Sequence, residues 1–433
     1  MVITRDTVFF EKLILQIEPT GEQKGWHMKK DVLILCQYFY PEYVSSAVLP
    51  TELAEELVNR GLTVDVLCGY PYEYYDGADV AVQETYRGIG IRRVRYSRFD
   101  KGRPIARLVN YLSLLLSFTL RFGKFFEYRC IIVYSNPPIL PLLPYYVSRW
   151  STTKFVFVAY DIYPDVALKQ GIMKQGGFID RLMRSINRRV YGQASRVVAL
   201  GKEMRDYMIR TGIAEKPDHI RVIPNWYSGN SLETRDISGG EFRYLRERWP
   251  FIVLYSGNMG TCQDMDTILE CMSEFRNRDD ILFVFTGHGN KHSYVKDYLR
   301  DGGFKNAKVY GFLLGEDYYD VLNMADICLV SLAKGNEGLG VPSKTYGYLA
   351  AGKPVLAIMA DDTDISRYLK QYGAGGNVRQ GDVSGLRTLI LRYLEDRELL
   401  MQSSKNAKRL FSELYERAKC TEQYYHMIME LLG

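Results

Sequence analysis

Histidine is scarce in this sequence and paired cysteine is absent. The 433 residues hold five histidines, at 27, 219, 288, 292 and 426, and none lies between 28 and 218. A general base in that stretch therefore has to be a carboxylate. The seven cysteines, at 36, 68, 130, 262, 271, 328 and 420, are scattered and odd in number, with no CxxC pair and no Cys/His cluster. That excludes a zinc site or a disulfide framework and reads as the reduced thiols of a cytosolic protein. No apolar run reaches the roughly 18 to 20 residues of a membrane span. The longest candidate, Leu108–Leu120, is interrupted by Asn110 and two serines. The apolar patch Val8–Ile17 lacks a cleavage site and is not expected to be a signal peptide; residues 1–27 read as an extension ahead of a domain that starts at Met28. Charge of one sign is also missing: 56 Lys and Arg face 51 Asp and Glu, a net +5 with pI near 8.6. Nucleic-acid binding is thereby disfavoured, while anionic phosphates or a cytoplasmic membrane face remain compatible.

What is present is alternation. DVLILCQYF (31–39) is a compact branched run that reads as a buried strand, Leu49, Leu53, Leu57 and Val58 follow at helical spacing up to Gly61, and TVDVLCGYP (63–71) is a second strand. The alternation goes on through 130–138, 154–164, 196–201 and 220–225. It restarts after the polar stretch 228–240, with strands expected at 251–260, 281–289, 308–312, 326–332 and 353–358. Two such series predict an α/β chain of two doubly wound, Rossmann-like domains facing a central cleft. The boundaries expected are 28–229 and 230–414, with a last helix at about 415–433 packing back on the first domain.

Two glycine-rich loops fall where such domains bind ligands. In SGNMGT (256–261), Gly257, Asn258 and Gly260 turn a strand into a helix, which suits phosphate contact by backbone N–H groups. A tight turn alone would also need the glycines. In GNEGLGVPSKTYGYLAAGKPV (335–355), Glu337 precedes Gly338, Leu339 and Gly340, and Ser343 and Lys344 open a helix. Glu337 can accept hydrogen bonds from sugar hydroxyls, and Lys344 can offset diphosphate charge; otherwise the two are a loop acid and a surface cation. Gly287 and His288 of TGHG either contact the same ligand or only shape a turn. On the first domain, Asp161 follows a strand in YDIYPD and is the carboxylate best placed for catalysis or acceptor binding, whereas Asp165 suits a helix cap.

Together with QYFYPEYVSSAVLPTELAEELVNRGLTVDVLCGYP (37–71), AYDIYPD (159–165), ALGKEMRDYMIRTGI (199–213), HIRVIPNW (219–226) and LYSGNMG (254–260), these loops resemble the GT-B glycosyltransferases of family 4. The likeness is strongest to the subgroup that builds bacterial surface polysaccharides, and it spans about 29–399. It implies a nucleotide sugar, with uridine as the expected base, held by the second domain. The acceptor, a saccharide or a polyprenyl-diphosphate-linked glycan, would lie on the first domain near Ser45, Ser46 and Asn136. Transfer would proceed with retention, without metal and without a cofactor, the nucleotide sugar being a substrate. The acidic strings Asp264-Met265-Asp266 and Asp362-Thr363-Asp364 are accordingly expected to be solvated helix starts.

Three features depart from the family pattern. Thr345 or Gly347 stands where a second loop acid is usual, Thr261 where a basic residue often follows the glycine turn, and Ser45 and Ser46 where a glycine pair is common. The missing acid keeps open a non-catalytic sugar-nucleotide-binding subunit; a sugar-nucleotide epimerase fits less well, because the first domain has no histidine. Arg92, Arg93, Arg95, Arg98, Lys101 and Arg103 precede the apolar Leu108–Leu120 stretch. They either dock a cytoplasmic protein on the anionic inner face of the membrane or form a solvated strand and loop before an ordinary core helix.

Overall fold

Val32 to Cys36 are branched or apolar without a break, and all five are buried, as a central strand of a parallel sheet must be. They belong to β1 (Lys30–Cys36) in the computed structural model, which describes residues 29–433 except 73, 74, 76, 78, 101–103, 215 and 228–235. The extension 1–27, Lys101, Arg103 and most of the polar stretch after 227 lie outside the described residues.

The first sheet is built from β1, β2 (Val64–Gly69), β3 (Gln83–Tyr86), β4 (Ile89–Val94), β5 (Tyr128–Tyr134), β6 (Lys154–Ala159), β7 (Arg196–Ala199) and β8 (Ile220–Val222). Its order is β3-β4-β2-β1-β5-β6-β7-β8, parallel throughout except for the antiparallel β3–β4 hairpin. The second contains β9 (Phe251–Asn258), β10 (Ile281–His288), β11 (Ala307–Tyr310), β12 (Ile327–Ser331), β13 (Val355–Ile358) and β14 (Gly375–Val378), in the order β11-β10-β9-β12-β13-β14 and wholly parallel. Each sheet has a core on both faces. The strand order reverses between β1 and β5 in one sheet and between β9 and β12 in the other, and a doubly wound sheet opens a crevice at such a point.

Helix Arg417–Leu432 returns from the second domain to the first. Cys420, Tyr424, Met427 and Ile428 are buried beside Ile34, Val156 and Trp226 of the first core. Burying side chains of this size stabilises by about 1.5–3 kcal/mol apiece. Arg417 anchors the helix start on Glu55 (2.8 Å) and Glu56 (3.3 Å) of helix Ser45–Asn59.

The hairpin corrects one expectation. Arg93 is neither a membrane-facing cation nor part of a solvated strand, since it points inward and is only 1% exposed. Its guanidinium donates to Glu84 (2.5 Å) and to the carbonyls of Tyr40 and Ala81 (both 2.8 Å). It ties the edge hairpin to the loop after β1. Removing this buried side chain leaves the two carbonyls without their donor and a cavity in its place, a combined cost of about 3 kcal/mol. Arg93→Ala is therefore expected to destabilise the first domain by about 3 kcal/mol in urea unfolding, whereas Arg95→Ala, at an exposed site, should stay within about 0.5 kcal/mol. Equal effects of the two substitutions would refute the assignment.

Candidate active site

The two reversal points face each other, and the chain is joined across them. On the first domain, Ser135 is buried after β5, and its hydroxyl accepts from the N–H groups of Tyr160 (3.0 Å) and Asp161 (3.2 Å). This fixes the loop after β6 so that Asp161 stands at the cleft. Burial pushes the Asp161 carboxyl up to about 6. The next residue reaches the second domain: Ile162 N donates to Leu339 O at 2.9 Å. Gly340 lies directly against the acid, for a Cβ built there would be 2.9 Å from Asp161 Oδ1.

Leu339 is a correction of role. Its side chain, 2% exposed, is buried in the core of the first domain, so it anchors the loop across the cleft and does not face a donor. Glu337 is held from two sides: Oε2 accepts from Gly335 N (2.7 Å) and Oε1 from Gln380 Nε2 (2.8 Å). Gln380 donates also to Leu332 O (2.8 Å) and thereby fixes the acid to the end of β12. Ser343 is exposed at the start of helix Lys344–Ala350.

Lys344 is drawn away from that surface. Its ammonium lies 3.7 Å from the centre of the Tyr255 ring and 3.3 Å from Asn258 O, beneath the glycine turn. Loss of hydration pulls it down to about 7. His288 is close enough to feel it: burial first, then the charges of Lys344 and His292, hold the imidazole below its ordinary value. Asn258, His288 and Lys344 thus converge. The turn is tied to β10 by Met259 N donating to His288 O (2.7 Å), and Gly260 N is bonded to Gln263 Oε1 (2.9 Å). Gly257 and Gly287 are paired neighbours in β9 and β10.

Ser45 and Ser46 open helix Ser45–Asn59, the first of them exposed, and Asn136 adjoins Ser135, so all three stand at the carboxyl edge of the first sheet. Asp165 does not cap. It occupies the first turn of helix Asp165–Lys169 and accepts from Arg184 at 2.7 Å. The same short helix ends at the second domain, where Gln170 Nε2 meets Cys262 Sγ at 3.3 Å. Of the acidic strings, Asp266 and Asp362 are exposed as solvated helix starts would be, but Asp264 is buried and accepts from Thr267 N (3.2 Å), and Asp364 is buried against the first domain. Among the described residues no group of three or more His, Cys, Asp or Glu could hold a metal ion. A cavity of about 480 Å³, lined by Lys30, Asp65, Arg92, Arg121 and Tyr128 among others, lies at the opposite, amino edge of the first sheet. Lys30 and Tyr128 occupy the Asp65 carboxylate there.

Ser135, Gln380 and Gln170 had no signal in the sequence, being single polar residues in otherwise ordinary loops. An exposed apolar stripe is also present: Ile105, Leu108, Leu112 and Leu116 lie on one side of helix Pro104–Thr119, and Leu120 follows them. No helix among the described residues is long and apolar enough to cross a membrane.

Residues 47–226 match the family of the glycosyl transferase 4-like domain, and residues 242–410 match glycosyl transferases group 1. A protein of Pseudomonas aeruginosa named a probable glycosyltransferase, WbjE, is 27% identical over 308 residues, 68% of this chain and 74% of its own. WcaI of Escherichia coli K12, provisionally named a colanic acid biosynthesis glycosyl transferase, is 22% identical over 213 residues, 48% of this chain and 51% of its own. Among solved structures, Alr3699/HepE of Anabaena in complex with UDP and glucose superposes with a TM-score of 0.68 at 16% identity, over 93% of this chain and all of that one. At that identity the likeness is one of fold, and the fold is GT-B.

Proposed function

The chain belongs to the glycosyltransferases, its first domain matching the glycosyl transferase 4-like family and its second the glycosyl transferases group 1, and on that premise we propose that it transfers a sugar from a UDP-sugar to a saccharide or lipid-diphosphate-linked acceptor in surface-polysaccharide synthesis. One observation carries the reading. Asp161, on the acceptor domain, stands against Gly340 of the loop that carries Glu337, with Ile162 and Leu339 bonded across the cleft. An acceptor hydroxyl and a donor sugar held by these two groups would meet at that seam. Uridine as the base agrees with the UDP of the similarly folded Anabaena protein, and surface polysaccharide with the name of the Escherichia coli relative.

Breaking the anomeric bond places positive character on the sugar and negative charge on the departing diphosphate. The glycine turn at Gly257 and Asn258, the start of helix Lys344–Ala350 and the Lys344 ammonium would meet that charge, whereas the Gly260 N–H is taken by Gln263 and shapes the turn. A diphosphate would hold Lys344 protonated. His288 beside it would donate to a phosphate oxygen, while Ser45, Ser46 and Asn136 approach from the acceptor side. Glu337, oriented by Gln380, would accept from the sugar hydroxyls, and Asp161 from the acceptor hydroxyl. Retention, which the family resemblance implies, would follow if the acceptor attacks from the face the phosphate leaves, and nothing in this scheme requires a metal or cofactor.

The stripe Ile105, Leu108, Leu112, Leu116 suits a bilayer surface. Helix Pro104–Thr119 carries no acid, and the exposed Arg95 and Arg98 lie just before it. Anionic lipid is its complement, each cation near the surface contributing about 1 kcal/mol. Such docking would bring the cleft to a lipid-linked acceptor.

Thermal melting with a panel of nucleotide diphosphates and nucleotide sugars tests the donor site, because a ligand of the folded state stabilises by mass action, about 2.7 kcal/mol at a hundredfold excess over Kd. One nucleotide family should raise the Tm of the wild type, and Glu337→Ala should lose the sugar-dependent increment alone. No shift with any member would sink the donor site. Binding without turnover across a range of acceptors would favour the non-catalytic subunit, for which the usual second acid, here Thr345 or Gly347, is the motive.

A further inference from the structure

Helices Lys202–Arg210 and Asp364–Tyr372 belong to different domains and meet start to start. Lys202 N donates to Asp364 Oδ2 at 2.6 Å, and Asp364 N donates to Glu203 Oε2 at 3.2 Å. Each helix thus has its opening N–H satisfied by an acid of the other. The two carboxylates crowd one spot: a Cβ built on Gly201 would be 2.8 Å from Glu203 Oε2 and 3.1 Å from Asp364 Oδ2. Arg367, on the helix of Asp364, supplies the cation, at 2.5 Å from Asp364 Oδ1. The phenols of Tyr346 and Tyr415 also face the pair. A buried and a half-buried carboxylate crowded beside one guanidinium favour keeping a proton. Burial first, then the charge of Asp364, pushes Glu203 up to about 7.

This contact reaches the catalytic loop. Gly338, at φ +80°, is pressed onto the first turn of helix Lys202–Arg210, where a Cβ would meet Glu203 O at 2.8 Å and Tyr207 Cβ at 2.9 Å. A domain that moved away from Glu203 would release the segment between Glu337 and Gly340.

We propose that Glu203 and Asp364 are a proton-operated latch between the domains: closing brings the carboxylates together and takes one proton from solvent onto Glu203, opening returns it, and the closed latch positions the loop of Glu337. The latch itself stands without the donor-site reading; only its consequence for catalysis rests on it. The sign follows from linkage. Separated and hydrated, Glu203 would titrate in the ordinary range near 4.3. Closure is therefore strongest below that range, weakens about tenfold per pH unit as pH rises towards 7, and levels off above.

Small-angle X-ray scattering of the ligand-free full chain between pH 6 and 8 reads the ratio of closed to open molecules. In the wild type that ratio should fall about tenfold or more. In Glu203→Gln it should fall only about twofold, the remainder contributed by Asp161, whose carboxyl is also buried at the seam. In Asp364→Asn, which removes the neighbouring charge but leaves the burial of Glu203, the fall should lie between those two. A wild-type ratio independent of pH, or variants with the wild-type slope, would overturn the latch. Because no nucleotide is added, that failure is separate from a failure of the donor site, which the melting panel reads.

Discussion

Asp161→Asn is expected to lower kcat/KM by about 10²- to 10⁴-fold, the usual worth of a positioned general base, while leaving the donor-induced rise in Tm in place. The carboxyl is pushed up to about 6 by burial, and the form that accepts a proton is the ionised one. The wild-type rate should therefore climb tenfold per pH unit below about 6 and level above, and the asparagine variant should lack that limb. Unfolding cannot explain such a loss. A raised acid stabilises the fold through its proton at low pH, and this contribution disappears as pH rises through about 6. Asparagine removes the cost of burying the charge, so the variant should be more stable at pH 8, by about 1–2 kcal/mol. A variant within threefold of wild type would assign the acceptor's proton to the departing phosphate.

Gly287→Ala is expected to destabilise the second domain by about 2–5 kcal/mol, combining backbone strain with overpacking. Gly287 has φ +136°, and a Cβ there would sit 1.9 Å from the carbonyl oxygen of its strand partner Gly257. Neither strand can yield, since both are central in the sheet or next to its centre. At roughly 2–4 °C per kcal/mol the Tm should drop by about 10 °C. Gly311→Ala is the control, since nothing lies within 4 Å of its Cβ position although its carbonyl accepts from Gly287 N. It should move Tm by no more than a degree or two. If the two variants melt together, the crowding of β9 and β10 is not what demands glycine at 287. The TGHG glycine thus has a reason in strand packing before any ligand is considered.

The alternation of strands was legible because parallel strands bury both faces and so read as unbroken apolar runs, as at 32–36 and 251–255. β3 and β4 were hidden by their own content. QETY is a polar edge, and IGIRRV holds an arginine pair whose second member turns inward, which no periodicity announces. β14, GGNV, reads as a turn. The two glycine-rich loops could be placed from sequence because a strand-to-helix crossing at a carboxyl edge leaves a local pattern. What joins them could not. Ser135 beneath Asp161, Gln380 on Glu337 and Asp364 on Lys202 are single residues whose partners lie far off in sequence, and only the closed chain brings them together. Asp362-Thr363-Asp364 shows the limit well: a helix start was correctly expected there and Thr363 caps it, but the acid beside it serves the helix of another domain.

The return of helix Arg417–Leu432 to the first domain also bears on how this protein is made. The first sheet is complete in sequence at β8, yet the core on one of its faces still lacks Cys420, Tyr424, Met427 and Ile428. A ribosome adding about 5–20 residues per second must translate the whole second domain before that helix emerges. For those seconds to tens of seconds Ile34, Val156 and Trp226 lack the cover of that helix. The second domain, contiguous from β9 to β14, can close first, so the order of completion is the reverse of the order of synthesis. The nascent first half is accordingly the part of the chain that a chaperone would recognise.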